Sequence, residues 1–102
     1  MKEAILIKDE SEFESRIPIE ELLSSKGRIK ILKELAHKTE LNISEICRRV
    51  GLNHSTTKSH LEVLLESGLI EEKIFGRIKI YRYRNEDMRA RSLKNLLEIW
   101  KS

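Results

Sequence analysis

Asn53, His54, Ser55, Thr56, Lys58 and Ser59 place six hydrogen-bonding side chains within seven consecutive positions. Short hydroxyls and amides at such a density suit a surface that must approach base edges closely, where they donate and accept but discriminate weakly. Lys58 is the candidate for a guanine contact, because an ammonium group donates to the O6 and N7 acceptors of that base. A second group lies further on: Lys73, Arg77 and Lys79 surround the dipeptide Gly76-Arg77. Lysines there suit phosphate oxygens, and an arginine at a loop tip suits a narrow minor groove. The alternatives are a solvated helix face for the first group and charges that protect a hairpin edge for the second. The chain has no Gly-rich phosphate loop, no paired metal ligands and no Ser/His/Asp or Cys/His grouping, so neither catalysis nor a cofactor is expected.

The elements that must position these residues are marked by caps. Asn42, with Glu45 three residues on, predicts a capped helix burying Ile43, Ile46 and Val50, and Gly51 follows where a left-handed C-cap is wanted. Asn53 then caps a helix over about 54–67, with Thr57, Leu61, Leu64 and Leu65 as its inner stripe and Gly68 as its end. Two capped helices joined by so short a turn are the sequence form of a helix-turn-helix. Leu69–Phe75 and Ile78–Arg84 read as two strands with Gly76-Arg77 as a type II′ loop. Upstream, Pro18 opens a short helix to about Ser25, and a helix over Arg28–His37 presents Ile31, Leu32, Leu35 and Ala36 to the core. Asn85 is read as the cap of a last helix, with Glu86 and Asp87 in its first turn and Leu93, Leu96, Leu97 and Trp100 at i, i+3, i+4 and i+7.

Length and charge narrow the class. The 102 residues suit one domain, with 1–17 as an N-terminal arm, 18–84 as the core and 85–102 as a C-terminal helix. The arm, which includes the apolar run Ala4–Ile7, is read as a short strand or a packing segment. Hydrophobic content of 39% with 36% charged residues fits a soluble domain with a charged surface, with no run long enough to span a bilayer. The net charge of +3 hides an asymmetry: residues 1–25 hold three Lys/Arg against seven Asp/Glu, and the remainder carries +7. A basic body fits a polyanionic partner, and equally a surface laced with Lys and Glu pairs. The lone Cys47 excludes an internal disulfide, fits a reducing cytoplasm and reads as a small buried hydrophobe.

Three stretches resemble the ArsR-type winged-helix repressors, including the many archaeal regulators of that shape: SSKGRIKILKEL (24–35), NISEICRRVGLNHSTTKSHLEVLLESGLIEE (42–72) and GRIKIYRYR (76–84). The resemblance implies a mainly α fold with a small β-hairpin, a winged helix-turn-helix whose C-terminal helix dimerises through Leu93, Leu96, Leu97 and Trp100. It implies a homodimeric, sequence-specific regulator of transcription, with the 54–67 helix in the major groove of duplex DNA and Gly76-Arg77 as a wing over the minor groove. Two departures stand out. Thr57 occupies a position where that family usually has an apolar residue, so its hydroxyl is expected to bond a carbonyl one turn back. The family's metal sensors use paired cysteines in the helix that here spans 43–50, or His and acidic residues on the last helix; Cys47 is alone and no histidine follows His60, so metal sensing is not expected.

His60, beside core Leu61, reads as a packed or phosphate-bonding histidine, and Arg48 and Arg49 as solvated or touching the backbone. Tyr81 and Tyr83 alternate along the second strand and are expected to pack on a helix. Two other functions fit the same residues: a winged-helix module that binds protein within a larger complex, and a non-specific architectural DNA-binding protein. Operator, effector ligand and the sign of regulation leave no mark in the sequence.

Overall fold

The computed structural model describes residues 17–100, so the expectations for the N-terminal arm lie outside the described residues. In chain order these form α1 (Ile19–Leu22), α2 (Lys26–Lys38), β1 (Glu40–Asn42), α3 (Ile43–Val50), α4 (His54–Ser67), β2 (Ile70–Phe75), β3 (Ile78–Tyr83) and α5 (Met88–Trp100).

Local capping sets the boundaries. Pro18 sits at the N-cap of α1, which ends after one turn because Ser25 is needed by the next helix. The Ser25 hydroxyl accepts from the Arg28 amide at 3.2 Å, so α2 begins at Lys26, two residues earlier than the expected Arg28. Gly27 therefore lies inside its first turn. A Cβ there would stand 3.1 Å from both His60 Nε2 and Leu52 Cδ1, so glycine lets α4 close onto the start of α2. The capping box that opens α3 forms as expected: the Glu45 amide donates to Asn42 Oδ1 and the Asn42 amide to Glu45 Oε1, both at 2.9 Å. Asn53 Oδ1 accepts from the Thr56 amide at 2.8 Å, and the left-handed Gly51 and Gly68 end the two helices. Gly76 alone has positive φ in the hairpin loop, which fits the expected type II′ turn.

Among the described residues the sheet has three strands, not two. Their order is β1-β3-β2, antiparallel throughout, with Leu41 opposite Tyr81 and Phe75 opposite Ile78. Three residues with one apolar side chain show no period, so β1 is invisible to pattern and exists because β3 recruits it. The chain turns into β1 at Thr39, a β-branched residue held at φ 75°. Its amide donates to the Leu35 carbonyl at 2.7 Å and its carbonyl accepts from Tyr83 at 2.8 Å, which together impose that conformation.

A second correction concerns α5, which begins at Met88 and is capped by Asp87, not Asn85. Asp87 Oδ1 accepts from the Ala90 amide at 3.0 Å. Asn85 is spent on a turn, donating to the Tyr83 carbonyl, while Glu86 is drawn away to Arg82 (2.9 Å) and Arg84 (3.3 Å).

The core is assembled from α2 (Ile31, Leu32, Leu35, Ala36), α3 (Ile46, Val50), α4 (Leu61, Leu64) and the inner sheet face (Ile70, Tyr81, Tyr83), with Ala90 from α5. Tyr83 is fully buried and donates to the Ala90 carbonyl at 2.6 Å, tying the central strand to the last helix. Burial pushes its phenol up to about 12. Thr57 is also fully buried, but its hydroxyl has no partner among the described residues, contrary to the expected bond one turn back. The Asn53 carbonyl accepts from the Thr57 backbone amide instead. The architecture is a winged helix-turn-helix: α3 and α4 make the motif and the β2–β3 hairpin makes the wing.

Candidate nucleic-acid interface

Burial of Thr57, Leu61 and Leu64 rotates the other side of α4 outward. His54, Ser55, Lys58 and Ser59 are exposed there and Thr56 is half-exposed. None of the five side chains has a hydrogen-bond or ion-pair partner among the described residues. Asn53, also exposed, uses its carbonyl oxygen as the cap. The helix start thus brings the six candidates together, with the positive end of its dipole in the same place.

His60 lies at the back of this helix. Its Nε2 is 3.5 Å from Ser25 Oγ, and its Nδ1 is buried without a partner among the described residues. Burial first, and the Arg28 guanidinium second, lower its pKa from 6.5. The native ring is therefore held neutral more strongly than the ring in the unfolded chain. Below 6.5 the unfolded state takes up the proton first, so stability is complete above that pH and falls as pH drops. Thermal melts between pH 7.5 and 5.5 (a window set by the ordinary histidine pKa) should show a falling midpoint for wild type and a flatter profile for His60→Gln.

The wing differs from expectation in its lysines. Lys73 Nζ stands 2.9 Å from Glu40 Oε2, and Lys79 Nζ 3.2 Å from Glu72 Oε2. The bond from Glu72 raises the Lys79 pKa. Both ammonium groups already have carboxylate partners: Lys79 finds Glu72 across the β2–β3 hairpin itself, whereas Lys73 reaches Glu40 of β1, a partner that the hairpin alone does not reveal. Arg77, at the tip, is exposed and has no carboxylate partner among the described residues. Arg49 is held by Glu34 at 3.5 Å, whereas Arg48 is exposed. If Lys79 meets a phosphate, Glu72 competes with it. Glu72→Gln should then raise duplex affinity a few-fold and steepen the salt dependence by about one ion. Titration by fluorescence anisotropy at several salt concentrations checks this, and the gain should vanish in a Lys79→Ala background.

At the far end, α5 presents one stripe made of Arg89, Leu93, Leu96 and Trp100. Leu93 packs partly on the core and lines, with Ile19, Leu22, Leu23 and Leu69, an apolar groove of about 320 Å³ against α1. Leu96 (48% exposed) and Trp100 (76%) extend the stripe into solvent. Leu97 turns the other way, into a cleft with Ala36 and His37 of α2. Ile99 and Met88 are exposed beside the stripe and escaped the heptad-like reading because they fall off its spacing.

Residues 25–72 match the family described as bacterial regulatory protein, arsR family. An uncharacterised HTH-type transcriptional regulator of Bacillus subtilis is 31% identical over 84 residues, covering 76% of this chain and 86% of that protein. The chain belongs to the arsR family. The cadmium resistance transcriptional regulatory protein CadC of Listeria innocua is 29% identical over 78 residues, which cover 76% of this arsR-family chain and 61% of CadC. Among solved structures, the transcriptional repressor BigR of Xylella fastidiosa superimposes with a TM-score of 0.69 at 24% identity, covering 100% of this chain and 99% of BigR. The homodimeric winged helix-turn-helix DNA-binding domain of a possible ArsR-family regulator from Mycobacterium bovis superimposes with a TM-score of 0.67 at 24% identity, over 97% of this chain and 84% of that one. These two likenesses show the fold. The named sequence relatives are bacterial, so they lend no support to an archaeal affinity.

No helix among the described residues is long and apolar enough to cross a membrane. Cys47 is half-buried and unpaired, and no group of three or more His, Cys, Asp or Glu side chains of metal-holding geometry occurs among the described residues.

Proposed function

We propose that this arsR-family protein is a cytoplasmic, non-enzymatic transcriptional regulator that binds duplex DNA as a homodimer. The N-terminal turns of α4 enter the major groove, and the wing lies over the adjacent minor groove. The observation that carries this reading is the exposed first half of α4. Five polar side chains without partners among the described residues are offered at the N-terminus of a helix whose other face is packed in the core. Lys58, in the second turn, contacts a base edge; Asn53, His54, Ser55, Thr56 and Ser59 share base and phosphate contacts; Arg77 reaches the minor groove. Lys73 and Lys79 contribute to phosphate binding only after leaving Glu40 and Glu72.

The dimer is read from the Leu93, Leu96 and Trp100 stripe, with Ile99 and Met88 beside it and the α1 groove alongside. Burying one Leu-sized side chain contributes about 1.5–3 kcal/mol, so a two-fold repeat of this strip suffices to hold two copies together. In such a dimer the two α4 helices read half-sites about one helical turn apart on an inverted repeat.

Selection from random genomic duplex fragments, at two salt concentrations, tests the proposal. Enrichment of an inverted repeat, with affinity falling steeply as salt rises, is the expected result. Salt-dependent binding without enrichment replaces it with an architectural role, and absence of binding at low salt replaces it with a protein-binding module.

A further inference from the structure

The wing ends in side chains that a purely electrostatic contact does not need. Ile74, Phe75 and Ile78 are 64%, 57% and 58% exposed, whereas Ile70, Tyr81 and Tyr83, nearer the root of the hairpin, are buried. Phe75 and Ile78 face each other across the last rung of the hairpin, and Ile74 lies on the opposite face beside Lys79. The segment Lys73–Lys79 carries three cations and no acidic residue. Lys73 Nζ stands 5.6 Å from the centre of the Phe75 ring, so the apolar pair is bordered by positive charge. Among the described residues nothing covers this tip, because β1 reaches only as far along β3 as Ile80.

We infer that the wing tip is a wedge: Phe75 and Ile78, guided by Arg77, press into the minor groove and bend the duplex. The inference rests on the DNA-binding reading above. Its warrant is the match between the two surfaces. Phosphates line the rims of a groove whose floor is made of stacked bases, and the tip pairs cations with apolar side chains in the same order. A minor groove is about 6 Å wide and does not admit a two-stranded ribbon, so entry of the tip must widen it. Apolar side chains that enter in this way part a base step and kink the axis toward the major groove, where α4 lies. Protein or membrane partners also accept a cationic apolar tip. The groove is favoured because the tip leaves the body through the same hairpin that follows α4.

The test uses the full chain and an end-labelled duplex of about 30 base pairs carrying the site enriched in the selection. Wild-type protein is expected to raise energy transfer between the duplex ends and to favour a centrally nicked duplex over the intact one by about tenfold, since flexibility lowers the bending cost. Phe75→Thr/Ile78→Thr keeps two strand-favouring side chains at the last rung, so the hairpin persists while the wedge is lost. This variant should bind with energy transfer equal to that of free duplex and with no preference for the nick. Phe75→Leu should retain both signals. Binding by wild type without a rise in energy transfer overturns the wedge and leaves the DNA-binding reading intact, and failure to bind any duplex overturns both.

Discussion

Lys58→Glu should weaken binding to the selected duplex by about 100-fold or more while leaving the melting temperature within a degree or two of wild type. The side chain is exposed on the second turn of α4 and has no partner to lose among the described residues, so reversal costs the fold almost nothing. Against DNA it removes a contact in the range of about 1–3 kcal/mol and adds a carboxylate facing a polyanion. Lys58→Ala separates the two contributions. It should relax discrimination at one base position and leave binding to random duplex nearly unchanged. Equal loss for specific and random duplex would show that Lys58 meets a phosphate, which sinks its assignment as a base reader. Electrophoretic mobility or anisotropy titrations with both duplexes decide the matter.

Tyr83→Ala should produce the largest loss of stability of any substitution on the sheet, about 3–5 kcal/mol. The ring is fully buried at the junction of β3 and α5, and its hydroxyl is the hydrogen bond from the sheet to the first turn of that helix. For a domain of this size each kcal/mol lowers the midpoint by about 4–8 °C, so the variant should melt at least about 12 °C below wild type. Tyr83→Phe isolates the hydroxyl. It leaves the Ala90 carbonyl without that donor and should cost about 1–3 kcal/mol. A loss for Tyr83→Phe as large as for Tyr83→Ala would mean that the ring itself contributes little, which contradicts its burial. Because α5 carries the proposed dimer stripe, the alanine variant should also dissociate at higher concentration than wild type in sedimentation.

The caps and periodicities that made α3 and α4 legible are local. Asn42 and Glu45, Asn53, Gly51 and Gly68 each act within one turn, so their spacing alone placed the motif and rotated its polar face outward. The failures share a different cause. β1 forms only through pairing with a strand about forty residues further on, and no window of sequence contains both. The ion pair of Lys73 follows from the same pairing, since Glu40 is brought across β3 by it, whereas that of Lys79 with Glu72 lies within the hairpin. Asn85 reads as the cap in sequence, but Arg82 and Arg84 pull Glu86 toward the sheet, and the cap moves to Asp87, with the helix starting at Met88. Burial raises the Asp87 pKa, but the Ala90 amide and the Arg89 guanidinium outweigh it and hold that carboxyl below its ordinary range. The hydroxyl of Thr57 is the remaining discrepancy: its burial was readable from the helical stripe, but its lack of a partner was not.

Asn42 is at once the last residue of β1 and the cap of α3. One residue therefore belongs to both the sheet that carries the wing and the helix pair that carries α4. Opening β1 away from β3 would strip the rung Asn42–Ile80 and disturb the capping box in the same event. In hydrogen–deuterium exchange this makes a single cooperative unit of the two. The amides of Tyr81 and Tyr83 should exchange at the same slow rate as those of Ile46 and Cys47, although the pairs lie on different elements. The amides of Phe75 and Ile78, paired at the last rung beyond the reach of β1, should exchange much faster through fraying of the hairpin end alone. The protein would then carry a stiff root and a yielding tip on one ribbon.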